Sequence, residues 1–104
     1  MIITTTNSIP GREMKEIAGL VRGSTVRARH VGRDIMAALK NIVGGEIEEY
    51  TQLQADAREQ AIRRMIQDAE KLNADAIIGV RIATAMVTRG AAEILAYGTA
   101  VKLQ

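Results

Sequence analysis

The sequence of 104 residues predicts one α+β domain over residues 1–104, with a short and a long helix packed on a small antiparallel sheet. Three observations predict this class. The length is that of a single domain, and 47% hydrophobic with 25% charged residues is a globular composition. Apolar residues alternate with a period of two near both ends of the chain and recur at helical spacing in the middle. The predicted order is strand, helices, strand, strand.

Two strands are predicted before the helices. Ile2 to Thr6 forms a short strand that ends at the turn signal Ile9-Pro10-Gly11. Met14 to Arg29 forms a long strand, in which Gly19 and Gly23 indicate a bulge or the close approach of another backbone. One face of the long strand carries Ile17, Gly19 and Val21, and the other carries Ala18 and Leu20.

Two helices follow. Apolar residues at helical spacing predict a short first helix over 33–43, which Gly44-Gly45 ends. The long second helix begins at Glu46 or Thr51 and runs to about Leu72. Its buried stripe is expected to contain Tyr50, Leu53, Ala57, Ala61, Met65, Ala69 and Leu72, widened by Ile62 and Ile66.

The last third of the chain predicts a hairpin. Ala76 to Val87 and Ala92 to Leu103 both alternate as strands, and Thr88-Arg89-Gly90 connects them. The main strands are nearly apolar on both faces, whereas the helices can cover only one face. Something outside the chain must cover the other face, so we expect a homo-oligomer.

Composition excludes several function classes. The chain has no cysteine, which removes disulfides, thiol catalysis, iron–sulfur clusters and Cys-based zinc sites. No apolar run approaches the roughly 20 residues of a membrane span, and Met1 to Thr5 shows no export signal. We therefore expect a cytoplasmic protein with no membrane partner.

Charge is unevenly distributed along the chain. The segment from Arg12 to Lys40 contains seven basic and three acidic residues, and the segment from Glu46 to Asp75 contains eight acidic and four basic residues. These segments suit contact with each other, within or between subunits. Because the chain has only two aromatic residues to stack on bases, no nucleic-acid partner is predicted. The expected ion pairs join Arg27, Arg29 and Arg33 to Glu46, Glu48 and Glu49.

The candidate metal ligands are His30, Asp34, Glu46 and Glu49. One histidine with scattered carboxylates falls short of the three or four converging ligands of a closed site. The favoured interpretation is therefore structural, with Asp34 stabilising the first turn of a helix. We predict no catalytic residue and no cofactor, because nothing local pairs His30 with a nucleophile.

Six segments carry a family resemblance: Gly23 to Ala28, Val31 to Asp34, Asn41 to Glu46, Ala57 to Glu59, Asn73 to Val80 and Tyr97 to Val101. Taken together they resemble the YbjQ family, whose members have no known function and carry the label "putative heavy-metal-binding". The resemblance implies a dodecin-subunit-like β-α-β-β fold, assembled as a ring-shaped homopentamer in which short extra strands join neighbours. In such a ring, Ile2 to Thr6 could pair with another subunit's edge.

One departure from the family pattern is visible at the end of the long helix. This chain has Leu72-Asn73-Ala74 where relatives usually have Leu-Gly-Ala. Asparagine tolerates the left-handed conformation, so it is expected to end the helix as glycine does.

Three functional hypotheses remain open at this point. The leading one is a non-enzymatic, ring-forming cytoplasmic protein that presents an oligomeric surface or an inter-subunit pocket. The alternative is a metal or small-ligand binder whose site is completed by neighbouring subunits. The third is an enzyme with a composite active site.

Overall fold

The computed structural model describes residues 1–28, 48–88 and 90–104, and the side chains of the long helix from Gln54 onward. The α+β class predicted from the sequence is confirmed. The predicted short helix over 33–43 lies outside the described residues. The elements are β1 (Ile2–Ile3), β2 (Met14–Ala28), α1 (Glu48–Glu70), β3 (Ala76–Thr88) and β4 (Ala91–Leu103).

The four strands form one sheet in the order β1-β3-β4-β2. Strand β4 is antiparallel to both β2 and β3, as the predicted hairpin requires. Strand β1 runs parallel to β3, with Ile2 beside Ala76 and Ile3 beside Ile77. The three long strands are antiparallel as predicted, and the short β1 adds one parallel pairing, which makes the sheet mixed.

The N-terminal segment pairs with β3 of its own chain, and pairing of Ile2 to Thr6 with another subunit stays a prediction. The amide of Thr4 donates to the carbonyl of Ile77 at 2.9 Å, and the amide of Gly79 donates to the carbonyl of Thr6 at 2.8 Å. These bonds pair backbone groups in the first part of the outer edge of β3. The strand itself stops at Ile3, because the chain then bends and the hydroxyls of Thr4 and Thr6 lie 2.8 Å apart.

A tight turn brings the chain from β1 back to the sheet. The amide of Arg12 donates to the carbonyl of Ile9 at 3.1 Å, with Pro10 second in the turn and Gly11 third at φ 77°. This is the geometry of a type II turn, whose third residue needs a positive φ. Ile9 thereby packs on a buried cluster formed by Ala76, Ile78, Val101 and Leu103.

Helix α1 packs on the sheet through very small residues. Ala57, Ala61, Met65 and Ala69 are at most 1% exposed, which confirms the middle of the predicted stripe. Ile62 and Ile66 flank it as half-buried residues, as predicted. Leu72 is 38% exposed and lies beyond the helix, so its assignment to the buried stripe was wrong.

Gly23 lets the backbone of α1 rest directly on β2. A Cβ atom at this position would collide with the carbonyl oxygen of Ala61 and the amide nitrogen of Met65. Both are main-chain atoms, which cannot rotate away as a side chain would. The close backbone approach that Gly23 indicates in the sequence is confirmed.

Asn73 ends α1 in the way its chemistry predicts. Its φ is 56°, in the left-handed region. The amide of Asn73 donates to the carbonyl of Glu70, and the amide of Ala74 donates to the carbonyl of Ala69. These two bonds form a Schellman motif, with Asn73 in the position that glycine usually occupies. Within the described residues, no helix is both long and apolar enough to cross a lipid bilayer.

A bulge in β2 reverses the predicted alternation of its first half. The pairing register with β4 shifts between Ile17 and Gly19, and Gly19 has a φ of 145°. As a result Ala18 and Val21 pack on the core under α1. Ile17 is 69% exposed, so placing it on the same face as Val21 was wrong. One extra residue in a strand changes which face the following side chains occupy.

The backbone contact at Gly23 generates a stability prediction. Gly23→Ala should lower the free energy of unfolding by about 3 kcal/mol, because α1 must move away from β2 to admit one methyl group. Ser24→Ala is the matched control and should change it by less than about 0.5 kcal/mol. Urea unfolding at one fixed protein concentration measures both. Equal stability of Gly23→Ala and the parent protein would contradict the contact.

Candidate functional site on the uncovered face of the sheet

The sheet has two unlike faces. We call the face beneath α1 the helix face, which carries the buried Val21, Gly23 and Thr25 of β2. Side chains alternate along a strand, so the residues between them point to the opposite side, which we call the open face. By the strand register the open face carries Leu20, Arg22, Ser24 and Val26 of β2, Glu93, Leu95, Tyr97 and Thr99 of β4, and Ile78, Arg81, Ala83 and Ala85 of β3.

Large apolar side chains are exposed on both faces. On the open face, Leu20 is 69% and Val26 is 57% exposed. On the helix face, Ile82 and Met86 of β3 are 44% and 80% exposed, because α1 lies mainly over β2 and hardly touches β3. The described part of the chain thus leaves apolar surface uncovered along both outer strands.

A row of three polar side chains crosses the centre of the open face. Arg22 of β2 and Arg81 of β3 both lie opposite Tyr97 of β4, one on each side. The Nη1 atom of Arg81 donates to the carbonyl of Val80 at 2.8 Å and to that of Thr5 at 3.0 Å. The N-terminal segment therefore holds one of the two guanidinium groups in place. We call these three residues the central row.

Side chains of α1 close the middle of the outer edge of β2. Nη1 of Arg64 donates to the carbonyl of Ser24 at 2.6 Å, and one turn further Asp68 accepts from the amide of Arg22 at 3.2 Å. One turn earlier, Gln60 accepts from Arg27 at 2.9 Å. Covering the backbone of an edge strand in this way blocks pairing with another chain.

The outer edge of β3 is different. The N-terminal segment pairs with residues 76–80 only, and within the described part of the chain nothing pairs with the outer side of 82–88. An unpaired strand edge beside exposed apolar side chains is a template for another strand. We call residues 82–88 the open edge.

The predicted metal ligands are not brought together by anything that the structure describes. His30, Asp34 and Glu46 lie outside the described residues, and Glu49 lies in α1 ahead of its described side chains. Within the described ranges no three His, Cys, Asp or Glu side chains cluster as metal ligands. The metal assignment therefore stays a prediction.

The predicted ion pairs stay a prediction, because the side chains of Glu46, Glu48 and Glu49 lie outside the described part of the structure. Among the described side chains, Arg27 donates to the side-chain oxygen of Gln60 at 2.9 Å. Arg27 lies on the helix face, toward α1. Arg29 and Arg33 lie outside the described residues.

The sequence reasoning missed the central row, although part of its signal was present. The predicted connection of the hairpin is centred on Arg89. Six cross-strand pairs lie at equal sequence distances before and after this residue, from Arg81 opposite Tyr97 to Met86 opposite Ala92. Centring the hairpin there would have paired Arg81 with Tyr97. The pairing of Arg22 with Tyr97 is long-range and has no such local signal.

The chain is similar to known proteins over its whole length. The YbjQ family model, described as "Putative heavy-metal-binding", matches residues 1–104. A UPF0145 protein of Archaeoglobus fulgidus is 62% identical over 104 residues, which is all of this chain and 96% of that protein. A UPF0145 protein of Thermotoga maritima is 56% identical over 104 residues, which is all of this chain and 98% of that protein.

A solved structure shares the fold. It is the crystal structure of a protein of unknown function from Pediococcus pentosaceus, of the DUF74 family. The TM-score is 0.67 at 20% identity, over 100% of this chain and 98% of that chain. At this identity the likeness concerns the fold alone.

The covered edge of β2 generates a second prediction. Arg64→Ala should lower the free energy of unfolding by about 1 kcal/mol, because the carbonyl of Ser24 loses a charged donor. Arg63→Ala is the matched control, since the side chain of Arg63 is exposed on α1 and makes no hydrogen bond in the described part of the chain. Urea unfolding of the two variants gives the comparison, and an equal loss in both would rule out this role for Arg64.

Proposed function

This chain belongs to the YbjQ family of UPF0145 proteins, and we propose that it is a cytoplasmic, non-enzymatic assembly and binding module built from several copies of the chain. The observation that carries the proposal is the open edge with its apolar side chains. Met86 is 80%, Val87 is 59% and Ile82 is 44% exposed. Complete burial of a side chain of this size contributes roughly 1.5–3 kcal/mol, so covering them stabilises an assembly.

A second copy of the same chain is the proposed occupant of the open edge. The edge offers unpaired backbone groups and apolar side chains together, and another strand satisfies both at once. The middle of the β2 edge is closed by Arg64 and Asp68. Two open edges that pair with each other form a closed dimer, so in a ring the open edge pairs with an end of the neighbour's β2.

We adopt the homopentameric ring that the family resemblance implies. In a ring, each subunit contacts its two neighbours through two different surface patches. The ring closes when the rotation between neighbours is a whole fraction of 360°. The two sides of this sheet differ within the described residues: the edge of β2 is closed in its middle, and β3 is open beyond the short β1. Such unlike edges suit a contact between different patches.

The alternative function is metal or small-ligand binding at a site between subunits. Its support is the family description together with His30, Asp34, Glu46 and Glu49. The donor chemistry of these four residues fits a heavy metal poorly. They supply one imidazole and three carboxylates, whereas soft metals prefer thioether ligands or thiolates, and the chain has no cysteine.

The open edge generates a prediction about assembly. Met86→Glu should raise the dissociation constant of the oligomer at least about 100-fold, because a buried unpaired charge costs several kcal/mol. Gln67→Glu, on the exposed side of α1, is the control and should leave the assembly unchanged. Size-exclusion chromatography with light scattering at low micromolar concentration gives the molar masses. A parent protein that is monomeric there, or a Met86→Glu variant of unchanged mass, contradicts the proposal.

The metal alternative has its own test. We expect no stoichiometric binding of Zn²⁺, Cu²⁺ or Cd²⁺ tighter than micromolar, because the donor set lacks converging ligands. We also expect His30→Ala to keep the fold and the molar mass. Titration calorimetry with each metal and circular dichroism of the variant measure these. Submicromolar, stoichiometric binding that His30→Ala abolishes would establish the alternative.

A further inference from the structure

We propose that the central row, Arg22–Tyr97–Arg81, binds a small oxyanion such as a phosphate group. The inference deepens the proposed function, on which it rests, by naming the ligand class of the binding module. It concerns residues of the open face, away from the candidate metal ligands. The argument has a geometric part and an electrostatic part.

The strand register places the three side chains on one line. Arg22 and Arg81 each lie one strand away from Tyr97, on opposite sides and on the same face. Neighbouring strands are about 4.8 Å apart, so the two arginine backbones are roughly 9.6 Å apart with the tyrosine between them. The carbonyls of Val80 and Thr5 hold the guanidinium of Arg81 at the outer side of β3. The two arginines thus flank Tyr97 from either side, with the phenol hydroxyl between them as a further donor.

Neither guanidinium of the central row is neutralised within the described part of the chain. Arg22 contributes only its backbone amide to a bond, and its side chain has no hydrogen bond or ion pair there. Arg81 bonds through Nη1 to two carbonyl oxygens, which orient the group without cancelling its charge. The other nitrogens of Arg81 remain available as donors.

The acid on the open face itself is remote from the central row. Glu93 lies four residues from Tyr97 along β4, a distance of about 13 Å. The carboxylate of Asp68, which reaches over the edge of β2 from α1, accepts from the backbone amide of Arg22 at 3.2 Å. A cation would meet two positive charges at the central row, whereas an oxyanion would meet up to three donors. Arginine pairs with phosphate and carboxylate through two parallel hydrogen bonds, which makes it the side chain best suited to such a ligand.

The test is titration calorimetry of the purified full chain. Inorganic phosphate is the first probe and phenyl phosphate the second, so that a preference for a free anion or a phosphate ester becomes measurable. We expect saturable binding with one site per subunit, weakened at least about tenfold by Arg22→Gln and by Arg81→Gln. Arg63→Gln, on the exposed side of α1, is the control and should stay within about twofold. Absence of saturable binding of either probe, or equal affinity in all variants, overturns the inference.

Light scattering on the same samples separates the inference from the proposed function. A monomeric parent protein that binds phosphate through Arg22 and Arg81 contradicts the assembly and supports the anion site. An oligomeric parent protein that binds neither probe, and whose Arg22→Gln and Arg81→Gln variants dissociate, overturns the anion site. In that case the arginines pair with carboxylates of a neighbouring copy.

Discussion

The contact between the backbones of α1 and β2 determines how the rest of the molecule is arranged. It requires glycine at position 23, where any side chain would strike the main chain of α1, and alanine or methionine along the stripe that faces it. Small residues allow this close approach but cover little area. The helix is consequently held over β2, at one side of the sheet, and β3 receives almost no cover from it.

Because the helix lies off centre, β2 and β3 differ in how far their outer edges and apolar side chains are covered. On the β2 side, Arg64 and Asp68 reach over the strand and bond to its backbone, which closes the middle of that edge. On the β3 side, the N-terminal segment pairs as far as Val80, and beyond it Ile82, Met86 and Val87 stay exposed beside the open edge. Among the described residues, an alanine-rich core thus leaves apolar surface that the proposed second copy of the chain would cover. The same sheet presents two arginines around Tyr97 whose guanidinium groups form no ion pair in the described ranges, which suits a ligand of negative charge.

Much of the fold could be predicted from the sequence where the signal is local. The alanine stripe of α1, its left-handed end at Asn73 and the β3–β4 hairpin all follow from spacing and turn chemistry over a few residues. The close approach at Gly23 was indicated by a glycine inside a strand, although which element approaches it was not. These features need no knowledge of distant parts of the chain.

The features that could not be predicted depend on long-range pairing. The bulge beside Gly19 reverses the faces of Ile17 and Ala18, and its position is set by the register with β4. The pairing of β1 with β3 and of Arg22 with Tyr97 joins residues more than 70 apart in the sequence. The metal ligands proposed from the sequence, His30, Asp34 and Glu46, lie outside the described residues.

Hydrogen exchange along β3 tests the central claim most directly, because it reads the backbone of the open edge itself. In a strand with one neighbour, about half of the amides bond to that neighbour and the rest point outward. If a second copy pairs with the open edge, the outward amides of residues 82–88 exchange as slowly as those bonded to β4, and they become fast on dilution below the dissociation constant. Fast exchange of the outward amides at every protein concentration would contradict the account.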